Sequence, residues 1–151
     1  MKPDAEALFT LAIDLAEPQS IGTLPGGGER RCVPIIGGTV SGRLNGRVLP
    51  GGADWQWLRP DGVADIDARY LLHSDAGEGV EVWSRGLRHG PPEVMVRLAA
   101  GEPVDPADYY FRTALRFESN APGLQWLVRL IAIGHGQRLA RQVQLQVYAV
   151  E

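Results

Sequence analysis

The chain has 151 residues, of which 44% are hydrophobic, a length and composition typical of one domain built around one core. Its formal net charge is -3, from 15 basic and 18 acidic residues, so no long-range positive field is available to attract a nucleic acid. A single cysteine, Cys32, excludes an intramolecular disulfide and a metal site built on several thiolates, which fits a cytoplasmic protein.

The N-terminal segment does not resemble an export signal, because its one lysine is followed by Asp4 and Glu6 and its apolar residues are interrupted by Thr10 and Asp14. The longest apolar stretch near the C-terminus, residues 124–133, is broken by Gln125 and Arg129. It is far shorter than the roughly 20 residues that cross a bilayer. We therefore expect a soluble protein that does not have a membrane as its partner.

Most of the chain consists of short segments in which apolar and polar residues alternate, separated by glycines and prolines. Alternation with a period of two is typical of half-buried strands, and glycine and proline between them are typical of turns. In chain order, the predicted strands cover residues 9–15, 30–36, 39–49, 54–59, 63–74, 79–85, 109–118, 126–133 and 142–150.

Glycine and proline positions refine these strands. Pro34 indicates that its strand lies at an edge or contains a bulge. Gly42 and Gly46 indicate a bulge or sharp coiling of the kind that lets a sheet close on itself. Residues 59–62, Arg-Pro-Asp-Gly, predict a turn that joins two strands into a hairpin.

One segment predicts a helix at about residues 92–100, because Pro92 and Glu93 suit its first turn and Gly101 suits its end. Nine or ten strands with one short helix favour an all-β fold over a parallel α/β sheet. We predict a single domain, residues 1–151, folded as a closed or nearly closed antiparallel β-barrel, with a sandwich as the less favoured alternative.

The sequence contains no pattern that requires a metal or a cofactor. His73, His89 and His135 are far apart and lack the spacing of metal ligands. The glycines at 26–28 and 134–136 lack the flanking residues of a phosphate-binding or dinucleotide-binding loop, and we interpret both segments as turns. The nucleophile elbow of a serine hydrolase is also missing. We therefore expect neither a metal site nor a cofactor.

Several charged residues lie within the predicted strands. Residues two apart on a strand share a face, so Asp67 and Arg69 can share one space, as can Arg112 and Glu118 if their strand does not bulge. Inside a barrel such charges must pair, because an uncompensated buried charge is strongly unfavourable. The alternation does not tell which face points inward, so these residues line either an interior site or a solvated outer face.

Aromatic residues interleave with these charges, a mixture typical of an apolar pocket with a few polar anchors. We select Asp54 and Glu118 as candidate catalytic carboxylates. The candidate substrate-binding residues are Trp55, Asp67, Arg69, Trp83, Tyr110, Arg112 and Trp126.

Several segments together carry a family resemblance. They are V-L-P-G-G-A-D-W-Q at 48–56, R-P-D-G at 59–62, D-A-R-Y at 67–70, G-L-R-H-G-P at 86–91, and D-P at 105–106 with Y-Y-F-R-T at 109–113. From about residue 8 to residue 150 the sequence resembles the family called domain of unknown function 3237, a group of small, mostly microbial proteins. The resemblance implies a β-barrel of about this length and implies no particular reaction.

Three functions fit these residues, and the sequence does not decide whether the protein is an enzyme. The first, which we favour, is a cofactor-free isomerase, cyclase or lyase acting on a small, partly apolar organic acid or ketone. Asp54 or Glu118 would move a proton, while Arg69 or Arg112 would hold a carboxylate or an enolate. The second is a non-catalytic barrel that carries a small ligand. The third is a structural homo-oligomer whose charged face forms the interface.

Overall fold

The computed structural model describes residues 6–151. Asp4, on which the argument against an export signal partly rests, lies outside the described residues. No helix within the described range is long and apolar enough to cross a membrane.

The described chain forms ten strands, two short helices and two 3₁₀ turns. The strands are β1 (Phe9–Leu15), β2 (Gln19–Thr23), β3 (Glu29–Gly42), β4 (Gly46–Val48), β5 (Ala53–Leu58), β6 (Ala64–Ser74), β7 (Gly79–His89), β8 (Tyr110–Glu118), β9 (Ile131–Arg138) and β10 (Gln142–Val150). The helices are α1 (Pro92–Ala99) and α2 (Gln125–Val128), and the 3₁₀ turns are Pro106–Asp108 and Pro122–Leu124.

The strands close into an antiparallel barrel with eight strand positions around its ring, which confirms the predicted fold class. Seven of these positions are filled, in order around the ring, by β1, β10, β9, β8, β7, β6 and β3, and β1 pairs with β3 to close it. The eighth position, between β6 and β3, is filled by two short strands. β5 pairs with the N-terminal part of β3, and β4 pairs with its C-terminal part. The additional strand β2 pairs with β3.

Alternation along each strand fills the barrel with apolar side chains. In β1, Phe9, Leu11, Ile13 and Leu15 are all buried, while the residues between them are only partly buried. This is the expected consequence of a period of two in a sheet with one face toward a core. β10 behaves in the same way and pairs directly with β1.

The core has two parts, a larger one that runs through most of the barrel and a smaller one at one end. The larger part includes Phe117 near the end of β8, together with Leu124 and Leu127 from the segment containing α2. The smaller part includes Phe111 at the start of β8 and Leu98, the buried residue of α1. We call this end, where β6 and β8 begin and β7 ends, the mouth end.

The predicted helix is confirmed as α1, with a proline in its first turn and Gly101 after its end. Gly101 has a φ of 77°, a left-handed conformation that glycine adopts without strain, and its N–H donates to the carbonyl of Leu98. The helix therefore begins and ends where the sequence indicates.

Two strand predictions and one turn prediction were wrong. The predicted strand 126–133 begins instead at Ile131, because residues 125–128 form α2. The glycines at 134–136 lie inside β9 and do not form a turn. The predicted strand 39–49 is interrupted, since β3 continues through Gly38 to Gly42 and β4 starts only at Gly46. In addition, β2 was not predicted, because all five of its residues are exposed and provide no apolar alternation.

Candidate functional site

Polar side chains replace aliphatic ones on the inward face of several strands toward the mouth end. They occupy the same alternating positions as core residues of their strands, as Arg31 does two residues before the buried Val33 and Arg88 four residues after the buried Ser84. The set comprises Arg31 of β3, Asp54 and Gln56 of β5, Tyr70 of β6, Arg88 of β7, Thr113 of β8 and Arg138 of β9.

A chain of hydrogen bonds fixes the carboxylate of Asp54. Arg31 donates from Nε to Oε1 of Gln56 at 2.8 Å. Gln56, which is buried, donates in turn from Nε2 to Oδ2 of Asp54 at 2.7 Å. The other oxygen, Oδ1, accepts from the backbone N–H of Asp67 at 3.0 Å. Both oxygens of Asp54 are therefore held in place, and its orientation is set by neighbours on three strands.

Burial raises the pKa of the Asp54 carboxyl above its ordinary value. The hydrogen bonds from Gln56 and from the backbone of Asp67 act in the opposite direction, as do the positive charges of Arg88 and Arg138, but they do not cancel the effect of burial. Asp54 is thus a carboxylate with increased proton affinity inside the barrel, a property typical of residues that transfer protons.

Arg88 lies deep in the mouth end and has few partners. Only 6% of its surface is exposed, and its guanidinium lies over the ring of Phe111 at 5.4 Å from the centroid. Within the described part of the chain, its Nε and Nη1 atoms are buried and have no hydrogen-bond partner. Burial, followed by the nearby positive charge of Arg138, lowers the pKa of Arg88 to about 10.

Arg138 is the second unpaired cation of this group. Its Nε donates to the carbonyl of Leu139 at 2.8 Å, and its backbone N–H donates to the hydroxyl of Tyr109 at 2.9 Å. Its Nη1 is buried and lacks a partner among residues 6–151. Burial lowers the pKa of Arg138, and the charge of Arg31 lowers it further. Arg88 and Arg138 therefore act on the Asp54 carboxylate by charge, Arg31 reaches it through Gln56, and the four residues together carry a net positive charge when Asp54 is ionised.

Arg31, Arg88 and Arg138 line a pocket of about 430 Å³ at the mouth end. Its apolar wall includes Leu58 of β5 and Leu98 of α1. This size falls within the range of sites for small organic molecules, and its mixture of apolar surface and polar groups is typical of such sites. We call this space the mouth pocket.

Arginines at the rim of the mouth pocket differ from those inside it, because they form ion pairs. Arg141 pairs with Glu17 at 3.0 Å, and Arg59 pairs with Asp61 at 2.6 Å. Among the described residues, Arg88 and Arg138 form no ion pair. Of the arginines that line the mouth pocket, the two at its rim are therefore neutralised by carboxylates, and, within residues 6–151, Arg31, Arg88 and Arg138 are not.

A smaller cavity of about 30 Å³ lies deeper in the barrel and is lined by Asp54, Tyr70, Thr113 and apolar side chains. The hydroxyls of Tyr70 and Thr113 are buried without a hydrogen-bond partner in the described part of the chain. Burial and the negative charge of Asp54 raise the pKa of Tyr70, so its hydroxyl keeps its proton and can act as a donor. Asp54 thus contacts this inner cavity and is coupled through its charge to the arginines of the mouth pocket.

The structure places Asp54 inside the barrel and most of the other predicted site residues outside it. Trp55, the next residue, is 52% exposed. On the outer face, Asp67 pairs with Arg85 at 3.5 Å, and Arg69 pairs with Glu81 at 2.9 Å. Asp67 and Arg69 therefore share a face, as predicted, but each has its own partner.

The remaining predicted residues are also away from Asp54. Arg69 lies over Trp83, and Arg112 lies over Tyr110, both on the outside of the barrel. Trp126 belongs to α2, where it stacks under Arg43 at 4.0 Å. Glu118 is the exposed last residue of β8. The structure does not bring these side chains together into one site, and their binding or catalytic roles stay predictions.

The interior arginines were not among the predicted site residues, although the sequence contains a signal for two of them. Every second residue of β7 points inward, as Val80, Val82 and Ser84 do, and the same spacing places Arg88 on the inward face. Arg31 shares the alternation of Val33 in the same way. For Arg138 the signal was lost, because the preceding glycines were interpreted as a turn and its strand was placed too early.

These features define a small, closed β-barrel with a positively charged interior pocket at one end. The model of the family described as protein of unknown function (DUF3237) matches residues 3–150. The chain belongs to this family, as the sequence resemblance implies.

Relatives and solved structures agree with this assignment. A UPF0311 protein of Rhodopseudomonas palustris (strain TIE-1) is 41% identical over 153 residues, which covers 99% of each chain. The crystal structure of a conserved protein of unknown function from R. palustris has a TM-score of 0.89 at 39% identity and covers 100% of both chains. A β-barrel-like protein from Acinetobacter baumannii AYE has a TM-score of 0.84 at 40% identity, covering 97% of this chain and 94% of that one.

A more distant structure shares the fold alone. It is described as an enzyme from Penicillium herquei and has a TM-score of 0.70 at 18% identity, covering 97% of this chain and 96% of that one.

Proposed function

We propose that the protein is a cofactor-free acid/base enzyme that acts on a small, partly apolar organic acid or ketone bound inside the barrel. The observation that carries this proposal is Asp54, an interior carboxylate with a raised pKa, held by Gln56 and the backbone of Asp67 beside the inner cavity. A carboxylate in this state is suited to exchange protons with carbon acids.

The proposed reaction begins when ionised Asp54 takes a proton from the carbon next to the substrate carbonyl. This step gives a protonated Asp54 and an enolate, whose negative oxygen is stabilised by a guanidinium or by the hydroxyl of Tyr70 or Thr113. Return of the proton to a different carbon completes an isomerisation. In the lyase variant the enolate expels a leaving group from the β-carbon, which takes the proton from Asp54. In the cyclase variant the enolate carbon adds to a second carbonyl of the same molecule, whose oxygen takes that proton. The distant enzyme from P. herquei supports only the narrower point that this fold can house an enzyme.

The test is hydrogen–deuterium exchange of carbon acids, because it needs no knowledge of the natural product. Levulinate, phenylpyruvate and cyclohexanone are incubated with the protein in D₂O, and loss of the α-proton signal is followed by NMR. We expect wild-type protein to accelerate exchange of at least one compound, and Asp54→Asn to reduce that acceleration by about 100-fold or more.

Glu118→Gln tests the second predicted carboxylate in the same assay. Because Glu118 lies exposed at the outer end of β8, exchange should stay within about twofold of wild type. Equal exchange by wild type and Asp54→Asn would contradict the proposal. A compound that binds in the barrel but never exchanges, and is recovered unchanged, would instead favour the carrier function.

A further inference from the structure

We infer that the substrate is an organic acid and that its carboxylate binds between Arg88 and Arg138 in the mouth pocket. This inference rests on the proposed function for the location of the chemistry, and it decides between the two substrate classes, acid and ketone, in favour of the acid. It also replaces Arg69 and Arg112, which lie outside the barrel, with two interior arginines as the anion-binding residues.

The first observation is that Arg88 is buried and, among residues 6–151, has neither an ion-pair partner nor an acceptor for two of its nitrogen atoms. It is 6% exposed, and two of its nitrogen atoms are buried without an acceptor among the described residues. A buried cation without a partner is strongly unfavourable, and a ligand that provides the missing negative charge would compensate it. Arg88 lies in the wall of the mouth pocket, which has a volume of about 430 Å³.

The second observation is the imbalance of charge inside the barrel. Arg31, Arg88 and Arg138 are close enough that their charges act on one another. Among the described residues, Asp54 is the one carboxylate that acts on both Arg88 and Arg138, and the phenol of Tyr109 acts on both as well. Both oxygens of Asp54 already accept hydrogen bonds, from Gln56 and from the backbone of Asp67. Asp54 therefore leaves the arginines with net positive charge, although the whole chain carries -3.

The third observation concerns the remainder of the ligand. Leu58, Met95 and Leu98 form an apolar wall next to the arginines, and Phe111 lies under Arg88. Guanidinium groups bind planar carboxylates through paired hydrogen bonds. A carboxylic acid with an apolar body satisfies both parts of the pocket, with its acid group at the arginines and its body toward α1.

Binding is tested by NMR titration of the Nε–H signals of the arginine side chains. The probes are benzoate, phenylacetate and hexanoate, each compared with its neutral amide of the same shape, and phenyl phosphate. We expect at least one carboxylate to shift the Arg88 and Arg138 signals to saturation, with the matching amide binding at least about tenfold more weakly.

The variants are Arg88→Met and Arg138→Met, with Arg116→Met as the matched control, because Arg116 is exposed on the outer face of β8. We expect each interior variant to weaken carboxylate binding at least about tenfold and the control to stay within about twofold. Arg88→Lys keeps a charge at this position and should bind more tightly than Arg88→Met. It provides the comparison if the methionine variant does not fold.

Asp54→Asn separates this inference from the proposed function, since it should lose proton exchange and keep carboxylate binding. The inference is overturned if amides bind as tightly as their acids, or if Arg88→Met and Arg138→Met bind like wild type. It is also overturned if phenyl phosphate binds and no carboxylate does, or if no carboxylate binds below about 10 mM. Exchange of cyclohexanone alone, without carboxylate binding, would support the proposed function and contradict the inference that the substrate is an organic acid.

Discussion

At the level of single residues, we expect Arg88 to reduce stability, because it is buried without an ion-pair partner among the described residues. Its guanidinium is buried, has two nitrogen atoms without an acceptor in the described chain, and is repelled by Arg138. Methionine has a similar length and no charge, so it can fill the same space over Phe111. Stability and binding are therefore expected to respond in opposite directions to one substitution.

We predict that Arg88→Met raises the free energy of unfolding by about 1 kcal/mol or more, because it removes an uncompensated buried charge. Urea denaturation at neutral pH measures this change. Arg116→Met, on the exposed outer face of β8, should lie within about 0.5 kcal/mol of wild type. A less stable Arg88→Met protein would show that the guanidinium stabilises the fold and would remove the functional explanation of its burial.

Asp54 gives a prediction about pH. Its pKa in the folded protein is above the ordinary value of 3.8, because burial outweighs the hydrogen bonds from Gln56 and Asp67 and the charges of Arg88 and Arg138. The folded state therefore holds the proton more tightly than the unfolded chain. The stabilisation from this group is complete below about pH 3.9 and is lost as the pH rises through the folded pKa.

The carboxyl carbon of Asp54, assigned with the Asp54→Asn variant, reports this titration by NMR. We expect its midpoint above 3.8, and we expect the stability of wild type relative to Asp54→Asn to fall as the pH rises across that midpoint. A midpoint at or below 3.8 would mean that the hydrogen bonds and arginines dominate, and Asp54 would be a poor base.

At the level of elements, Gly86 allows β7 and β8 to approach closely near the mouth pocket. A Cβ at this position would overlap the carbonyl oxygen of Arg112 on β8. We predict that Gly86→Ala destabilises the protein by about 2 to 4 kcal/mol and displaces Arg88, two residues along the strand.

The control for this prediction is Gly79→Ala in the same strand. Gly79 has no positive φ, and a Cβ there would meet no atom within 4 Å, so alanine should be tolerated. Thermal unfolding and carboxylate titration of the two variants make the comparison. If Gly86→Ala were as stable as Gly79→Ala, the close approach of the strands would not be needed for the fold.

Elements with a clear local signal in the sequence were predicted, and elements without one were not. The strands β1 and β10 were predicted because one face is apolar throughout, and α1 because its first turn and its end carry clear signals. The apolar residues 126–128 predict a strand but form a helix, because a short apolar run fits a strand and a helix equally well.

Gly134 and Gly136 suggest a turn in the sequence but lie in β9, for a different reason. A Cβ on Gly136 would lie 2.6 Å from the ring of Phe111, and one on Gly134 would lie 2.7 Å from the hydroxyl of Thr113. These glycines make room for side chains of β8 inside the barrel, so they belong to a strand. That requirement comes from residues more than twenty positions away and leaves no local pattern in the sequence.

At the level of the whole molecule, barrel closure assembles the candidate site from strands that are distant in the sequence. Arg31, Arg88 and Arg138 come from β3, β7 and β9, and pairing of the strands around the ring brings them to the mouth pocket. Asp54 of β5 lines the inner cavity, close enough for the charges of Arg88 and Arg138 to act on it. Composition and spacing were enough to predict the barrel and to select Asp54. They did not select the arginines, because alternation identifies a shared face without telling which face is inside.

The central claim is that the barrel interior, and not its charged outer surface, binds an organic acid next to Asp54. A crystal structure of the protein soaked with phenylpyruvate tests this most directly. We predict the carboxylate within hydrogen-bond distance of Arg88 and Arg138, with the carbon next to the ketone facing Asp54. A ligand bound on the outer face beside Trp55, Asp67 and Arg85, with none inside the barrel, would contradict the claim.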